Sequence, residues 1–438
     1  MPPAVEINLE FIEFRRNMLF INKLFKAITF IIFIFLLAFS CDSNLTGPDG
    51  PKGELPRALT QNEKNLITAD RAFSYEIFRN TVAFDDEEEN VFISPLSISM
   101  ALAMTLNGAE GETFGQMRET LKLQGMNLEQ INDAFKSLID LLVNVDPEVT
   151  FKIANSIWYE EDFSVKPDFL ERVQSHYKAS IHELDFLDPA SVNTINQWVK
   201  ENTEGLIEKI IDEIGDEMVM YLINALYFKG DWLRQFDKKD TRPSDFYLEN
   251  GQTVTVDMMY QQDRFATYFS DEVEMIELPY GDSLFTMTVL LPADRSMPID
   301  RFVEEKITAH NLDNWRSNLH VSSRDVMIHL PKFELEYEIE YNDILKAMGM
   351  VLPFDEWNAD FSGIADVSPQ NLYISEVKHK TFVRVDEEGT EAAAVTSVGV
   401  GVTSMPPAVI VDRPFVFIIY ERESGTNLFM GKVKNPIL

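Results

Sequence analysis

The 438-residue chain has very little cysteine, histidine and positive charge, and each shortage excludes a class of function. A single Cys excludes an intrachain disulfide framework, a CxxC redox pair and a Cys-based zinc site. The six His include no HExxH or other close pair, so no metal-hydrolysis site is visible. With 38 Lys and Arg against 72 Asp and Glu, the formal charge of −34 would repel a phosphate backbone, which excludes nucleic acid as a main partner.

The signature motifs of common enzymes are missing as well. The sequence has no GxSxG, no Walker A and no Rossmann glycine pattern after a strand. SxxK occurs at Ser175 and Ser375, but such short patterns arise by chance and no KTG or SDN segment accompanies them. Glu387 and Glu388 could serve as a general acid and base, although a solvated charge run is the simpler interpretation in so acidic a chain. We therefore expect a protein that is not an enzyme and that holds no metal or cofactor.

The first 40 residues have the pattern of an export signal. Lys23 and Lys26 precede 14 uncharged, mostly apolar residues at 27–40, a length typical of a signal peptide and short for a membrane span. Cys41 follows at once, as in the lipobox of bacterial lipoproteins, which predicts a lipidated Cys41 and a membrane anchor. Cleavage without lipid and an uncleaved anchor stay open, and Met18 could be the true start. We expect an exported lipoprotein of the cell envelope or cell surface, or otherwise a secreted protein.

The rest of the chain divides into a short tether and one large domain. Residues 41–57 are rich in Gly, Pro and polar residues, with almost nothing to bury. Residues 58–438 contain no further linker, and with 45% hydrophobic residues the chain can build a sizeable core. Without residues 1–40 the chain keeps 34 basic and 69 acidic residues, so the acidity belongs to the mature protein.

Periodicity predicts a mixture of helices and strands in the domain. Helices are expected at 59–82, 94–109, 127–144, 190–203 and 340–348. Strands are expected at 149–160, 218–230, 285–292, 325–338, 382–388, 415–421 and 427–433. Because this order lacks strict βαβ alternation, we predict an α+β fold built on antiparallel sheets.

The segment from Val385 to Pro407 has an unusual pattern. From Thr390 to Met405 it contains no Pro and one charge, yet it carries two Gly and ends at a Pro pair. Alternate positions form a face that is small or β-branched throughout: Thr390, Ala392, Ala394, Thr396, Val398, Val400 and Val402. This pattern indicates a strand that can bury one face if a sheet opens for it. Taken alone, it would fit an ordinary edge strand or surface loop equally well.

Seven motifs along residues 60–438 resemble the serpin family in order and spacing. They are NVFISPLSISMALAMTLNGA (90–109), INQWVKENTEGLIEKII (195–211), LINALYFKGDW (222–232), LPKFELEYE (330–338), ADFSGI (359–364), EEGTEAAA (387–394), and DRPFVFIIYE with LFMGKVKNP (412–436). The resemblance implies three β-sheets, eight or nine helices and an exposed reactive-centre loop. It also implies a suicide inhibitor of serine proteases, in which the cleaved loop inserts into the main sheet and traps the acyl-enzyme. A non-inhibitory serpin that binds or scaffolds is the alternative.

The resemblance assigns roles to individual residues. Gly389 and Thr390 match the loop hinge, and its small-residue continuation is Glu391, Ala392, Ala393 and Ala394. The polar cluster beneath the sheet, where the strands part, is matched by Ser94, Ser97, Asn224 and His379, and the aromatic residue where insertion begins by Trp232. Without the resemblance, a helix cap would be the preferred interpretation of Ser94 and a satisfied core histidine that of His379.

The family's loop length also locates the reactive bond. Counted from Gly389, with the Pro pair at 406–407 as the downstream anchor, the bond lies between Thr403 and Ser404, with Val402 as the neighbouring alternative. Small, uncharged residues there indicate an elastase-like protease. The helix at 127–144 is acidic, so no heparin-type activator is expected, and we expect a monomer.

Overall fold

Several helices in this protein begin at a residue that caps them with a side-chain hydrogen bond. The computed structural model describes residues 53–85, 90–215, 217–367, 371–390 and 407–437, and the structural statements below concern those residues. Thr60 and Glu63 form a reciprocal capping box before the first helix, and Ser94 caps the second with Pro95 in its first turn. The nine α-helices of the described residues are α1 (Gln61–Phe84), α2 (Pro95–Leu106), α3 (Gly111–Thr120), α4 (Leu128–Asn144), α5 (Pro167–Tyr177), α6 (Ala190–Asn202), α7 (Ile299–Lys306), α8 (Ala309–Asn318) and α9 (Asn342–Ala347).

Strands supply the other half of the architecture. They are β1 (Val91–Ile93), β2 (Val149–Glu160), β3 (Ser180–Leu184), β4 (Met220–Asp231), β5 (Arg242–Tyr247), β6 (Thr253–Asp263), β7 (Ala266–Phe269), β8 (Val273–Pro279), β9 (Phe285–Pro292), β10 (His320–Val321), β11 (Val326–Pro331), β12 (Phe333–Glu340), β13 (Lys378–Val385), β14 (Gly389–Thr390), β15 (Ala408–Ile410), β16 (Phe415–Glu421) and β17 (Asn427–Val433).

Within the described residues the strands form four sheets. A seven-stranded sheet has the order β1-β17-β16-β9-β8-β7-β10, and a four-stranded sheet has the order β15-β11-β6-β5. The other two, β14-β4-β2-β3 and the pair β12-β13, flank a common cleft. All ladders are antiparallel except β2 with β3 and β11 with β15, so the predicted α+β fold on mainly antiparallel sheets is confirmed. The resemblance implied three sheets, and the fourth arises because the cleft separates β13 from β4.

Phenylalanine rings pack against one another in the core of the seven-stranded sheet. The ring of Phe92 on β1 stacks on those of Phe417 and Phe429, with centroids 5.7 and 5.4 Å apart. These three rings come from the adjacent strands β1, β16 and β17, whose residues are almost all buried. These three phenylalanines therefore help to pack the seven-stranded sheet.

Boundaries differ from those expected at several places, and the strand predicted at 382–388 is β13, which spans Lys378–Val385. The predicted strand at 325–338 is interrupted at Lys332, which separates β11 from β12 and sends them into different sheets. Residues 53–57, assigned to the tether, contact the domain: Leu55 packs against the core and Arg57 donates to the buried Glu63 at 2.9 Å. No helix in the described ranges is long and apolar enough to cross a membrane.

Candidate functional site

A cleft of about 1200 Å³ separates β4 from β13. Along one edge, β4 pairs with β2 over nearly its whole length. On the other edge, the described residues pair with β4 only at Gly230 and Asp231, through β14. The remainder of that edge, from Met220 to Phe228, borders the cleft. An exposed strand edge of this kind is a template for an added strand.

A polar cluster lies beneath the cleft, and it joins four of the residues singled out from the sequence. The Ser94 hydroxyl caps α2 by accepting from the Ser97 N–H at 3.3 Å and donates to the carbonyl of Leu428 at 2.7 Å. The Ser94 backbone N–H donates to His379 Nε2 at 3.0 Å, and the Ser97 hydroxyl donates to the Asn224 carbonyl at 3.5 Å. Together with Thr390 they line a small cavity of about 30 Å³, enough for one or two water-sized groups.

His379 is neutral in this cluster. Burial lowers the pKa of His379 to about 3, because the charged imidazolium would lose its hydration. Since Nε2 accepts the Ser94 N–H, the ring proton sits on Nδ1. That nitrogen has no hydrogen-bond partner among the described residues, which leaves one donor for a group that enters the cleft.

The hinge residues are already part of the sheet. Gly389 pairs with Asp231 and Thr390 with Gly230 in an antiparallel ladder at one end of the cleft. Gly389 has φ +154°, and a Cβ there would lie 2.2 Å from the Gly230 carbonyl oxygen, so only glycine fits. The side chain of Thr390 is 4% exposed, and its hydroxyl lies 3.0 Å from that of the buried Tyr280.

Trp232 holds the turn that leads into the hinge. Its backbone N–H donates to the Glu388 carbonyl and its indole Nε1–H to the Asp386 carbonyl, both at 2.9 Å. The indole stacks on Tyr280 with ring centroids 4.4 Å apart. Trp232 therefore connects the turn at 386–388 to the residue that contacts Thr390, at the point where the resemblance placed it.

Glu387 and Glu388 are buried, so the interpretation of a solvated charge run was wrong. They are 4% and 6% exposed. Glu387 pairs with Lys332 at 2.9 Å and accepts from the Thr241 hydroxyl at 2.8 Å, while Glu388 pairs with Lys238. Burial acts to raise the pKa of Glu387, but the hydrogen bonds from Lys332 and Thr241 outweigh it and hold the pKa below its usual range. The two carboxylates fasten the turn before the hinge and take no part in acid–base chemistry.

The remaining site residues predicted from the sequence lie outside the described residues. These are Cys41, Glu391, Ala392, Ala393, Ala394, Val402, Thr403 and Ser404. Sequence reasoning in turn missed Tyr280 and Asn155, which contact Thr390 and Asn224. No local pattern marks either residue, because each acts through a partner distant in the chain. In the part of the chain that the structure describes, no group of three or more His, Cys, Asp or Glu could hold a metal ion.

Comparisons with known proteins agree on one family. A family model described as "Serpin (serine protease inhibitor)" matches residues 68–436. Human Serpin B8 is 35% identical over 381 residues, which are 85% of this chain and 100% of that protein. Leukocyte elastase inhibitor A of Mus musculus is 35% identical over 385 residues, again 85% of this chain and 100% of that protein. A crystal structure of the thermophilic serpin tengpin in the native state superimposes with a TM-score of 0.78 at 34% identity, over 86% of this chain and 95% of that one.

Proposed function

The chain belongs to the serpin family, and from that premise we propose that it is a suicide inhibitor of an elastase-like serine protease. Serpins are protease inhibitors and not catalysts, which agrees with the absence of enzyme motifs from the sequence. In the proposed mechanism the protease cleaves the bond between Thr403 and Ser404, and the freed segment that follows Thr390 enters the cleft before the acyl-enzyme can be hydrolysed. The inhibitor is consumed in the process.

The pairing of β14 with β4 is the observation that carries this proposal. Continued in the same antiparallel register, residue 391 would face Lys229 and residue 400 would face Met220. The edge of β4 that borders the cleft therefore has the length to accept ten further residues of the loop. Each would add ladder hydrogen bonds and bury apolar surface, which supplies the driving force for insertion.

The same register decides which loop side chains would enter the core. Thr390 points inward, towards Tyr280, so every second residue after it would also point inward. This inward set is the small or β-branched face found in the sequence: Ala392, Ala394, Thr396, Val398 and Val400. The charged Glu391 would face outward. A loop with this composition can enter without burying a charge or a large ring.

Thr396 has a special place in this register. On one side, Thr396 would lie opposite Asn224 on β4. On the other side it would lie opposite His379 on β13, because the Asp386 N–H donates to the Gly389 carbonyl and fixes the register between β13 and the inserted strand. Asn224 Oδ1 has no hydrogen-bond partner among the described residues. The Thr396 hydroxyl would donate to that oxygen and accept from His379 Nδ1. The inserted strand would thereby satisfy both polar groups that face the small cavity.

The nature of the reactive bond supports an elastase-like target. Thr403 is small and uncharged, as a shallow apolar specificity pocket requires, and the residues before it offer no Lys, Arg or large aromatic ring. Two relatives are named leukocyte elastase inhibitors. We further propose that lipidated Cys41 anchors the exported inhibitor to a membrane, and that it acts as a monomer.

Incubation of the purified protein with a panel of serine proteases tests the proposal. An elastase-type enzyme should give a covalent complex that survives a denaturing gel, and a trypsin-type enzyme should not. A binding or scaffolding serpin would instead be cleaved without a stable complex, or not cleaved at all. If no protease gave a stable complex at any ratio of protease to inhibitor, the inhibitory function would be refuted.

A further inference from the structure

We infer that Asn155 and Tyr177 are positioning residues that orient the Asn224 amide, so that its Oδ1 faces the cleft as a hydrogen-bond acceptor. This inference rests on the proposed loop insertion and deepens it, because it assigns the chemistry that the cavity demands of an incoming side chain. Asn155 lies on β2 beside Asn224, and Tyr177 ends α5.

The orientation follows from two successive hydrogen bonds, each of which has only one possible direction. The backbone carbonyl of Tyr177 can only accept, so the amide of Asn155 must present Nδ2 to it, at 2.7 Å. Asn155 Oδ1 then points towards Asn224 and can only accept, so Asn224 must present its own Nδ2, also at 2.7 Å. The opposite side of the Asn224 amide is its Oδ1, which is buried and has no partner among the described residues.

Helices behind the sheet hold the Tyr177 carbonyl, which is the first acceptor in this series of hydrogen bonds. The Tyr177 side chain is fully buried, and its hydroxyl donates to Asn132 Oδ1 on α4 at 2.9 Å. The amides of Asn132 and Asn107 donate to each other at 2.8 and 3.0 Å, which ties α4 to the end of α2. The Tyr177 carbonyl is therefore held by the packing of three helices. Rotation of the Asn155 amide would place its oxygen against that carbonyl and leave two buried acceptors in contact.

As a consequence, the cavity favours an incoming side chain that carries a hydroxyl. An acceptor from Asn224 and a donor from His379 Nδ1 face the same cavity, so a threonine or serine satisfies both, whereas valine satisfies neither. A carboxylate or carbonyl would be repelled by Asn224 Oδ1. If Asn155 no longer held the amide, Asn224 could rotate and the preference would disappear.

A double-mutant cycle between Asn155→Ala and Thr396→Val tests the inference. The measurement is the ratio of loop cleaved as substrate to protease trapped as covalent complex, at fixed salt and pH. Alone, Thr396→Val should raise this ratio about 5- to 20-fold, the effect expected for a lost buried hydrogen-bond pair. In the Asn155→Ala background it should change the ratio less than twofold. Equal effects in both backgrounds would overturn the inference and leave Asn155 a merely structural residue.

Two further variants keep the outcome interpretable. Tyr177→Phe removes only the hydroxyl that anchors Tyr177 and should shrink the Thr396→Val effect in part, in a protein that is less perturbed than Asn155→Ala. Asn144→Ala removes an exposed amide from α4 outside the network and should leave the effect unchanged. The gain in unfolding temperature after loop cleavage is measured for every protein. If the wild-type protein neither traps a protease nor gains stability, the proposed function fails; if it does both and the cycle is additive, only the inference fails.

Discussion

Replacing Thr390 by Arg is expected to convert the inhibitor into a substrate. Thr390 is the first inward-facing residue of the hinge, and its side chain is 4% exposed in the ladder with β4. Among the described residues its side chain hydrogen-bonds to the hydroxyl of Tyr280, which is itself buried and stacked on Trp232. An arginine at this position would either bury its charge among these aromatic rings or withdraw the hinge from the sheet.

The magnitude can be worked from the site. A buried charge without a partner costs about 3–5 kcal/mol. If about 3 kcal/mol of this cost falls on the insertion step, insertion slows roughly 150-fold while loop cleavage is unaffected. Hydrolysis of the acyl-enzyme would then be faster than loop insertion, so most inhibitor molecules would be cleaved without trapping a protease. Thr390→Val keeps the shape but leaves the Tyr280 hydroxyl without its partner, a cost of about 1–3 kcal/mol, and should give an intermediate ratio.

The assay compares Thr390→Arg, Thr390→Val and Thr390→Ser on denaturing gels after titration with one elastase-type protease. Thr390→Ser retains the hydroxyl and should behave as the wild-type protein does. The gain in unfolding temperature on loop cleavage gives a second reading and should be smallest for Arg. Unchanged stoichiometry for Thr390→Arg would refute insertion through this hinge, and a larger defect for Val than for Arg would refute the argument from charge.

Three other predictions concern separate parts of the chain. Cys41→Ala should leave an unlipidated precursor that does not partition into membranes, and mass spectrometry that finds a free Cys41 thiol on the native mature protein would contradict the anchor. The fragment released from the covalent complex should begin at Ser404; a start at Thr403 would favour the neighbouring bond, and a cut upstream of Val398 would show that the reactive bond is misplaced. Burial raises the pKa of Asp70 to about 6 from its usual 3.8. The protonated carboxyl of Asp70 therefore adds most to the free energy of unfolding below pH 4, and this stabilisation is lost as the pH rises through 6. Asp70→Asn should therefore increase the free energy of unfolding by about 3 kcal/mol at pH 7.5 and by little at pH 3.5, measured by denaturant titration.

The parts of the fold that could be predicted are those with long, uninterrupted patterns. The bounds of β2, β9, β16 and β17 match the predicted strands, because alternating or continuous runs of β-branched and aromatic residues have no good helical alternative. The helices α3, α5, α7 and α8 were missed. They are short and polar on most faces, which makes their patterns easy to overlook, although α5 and α7 do bury residues at helical spacing: Phe169, Val173 and Tyr177, and Ile299, Phe302 and Val303.

The residues of the candidate site likewise divide into those that the sequence predicted and those that it did not. Resemblance pointed to the hinge and to the polar cluster; the hinge, Ser94, Ser97 and Asn224 lie within continuous motifs, whereas His379 lies between them. It did not reveal the partners that determine how those residues behave. Glu387 and Glu388 looked solvated because the lysines that neutralise them lie on distant segments, and only the folded chain brings the opposite charges together. Burial of a charge depends on such pairing, which composition alone does not disclose.

The two-residue ladder of β14 also sets the phase of everything that follows it in the chain. Because side chains alternate between the two faces of a strand, the inward position of Thr390 fixes the parity of all later loop residues. Loss or gain of a single residue shortly after Thr390 would reverse that parity and bring Val395, Ser397 and Gly399 to the core side. A gain would place Val395 opposite Asn224 and so remove the hydroxyl there, whereas a loss would place Ser397 there. A change of two residues would preserve the parity but place Val398 or Ala394, neither of which has a hydroxyl, opposite Asn224. The number of residues between Thr390 and Thr396 is therefore a constraint on the loop, as much as residue type is.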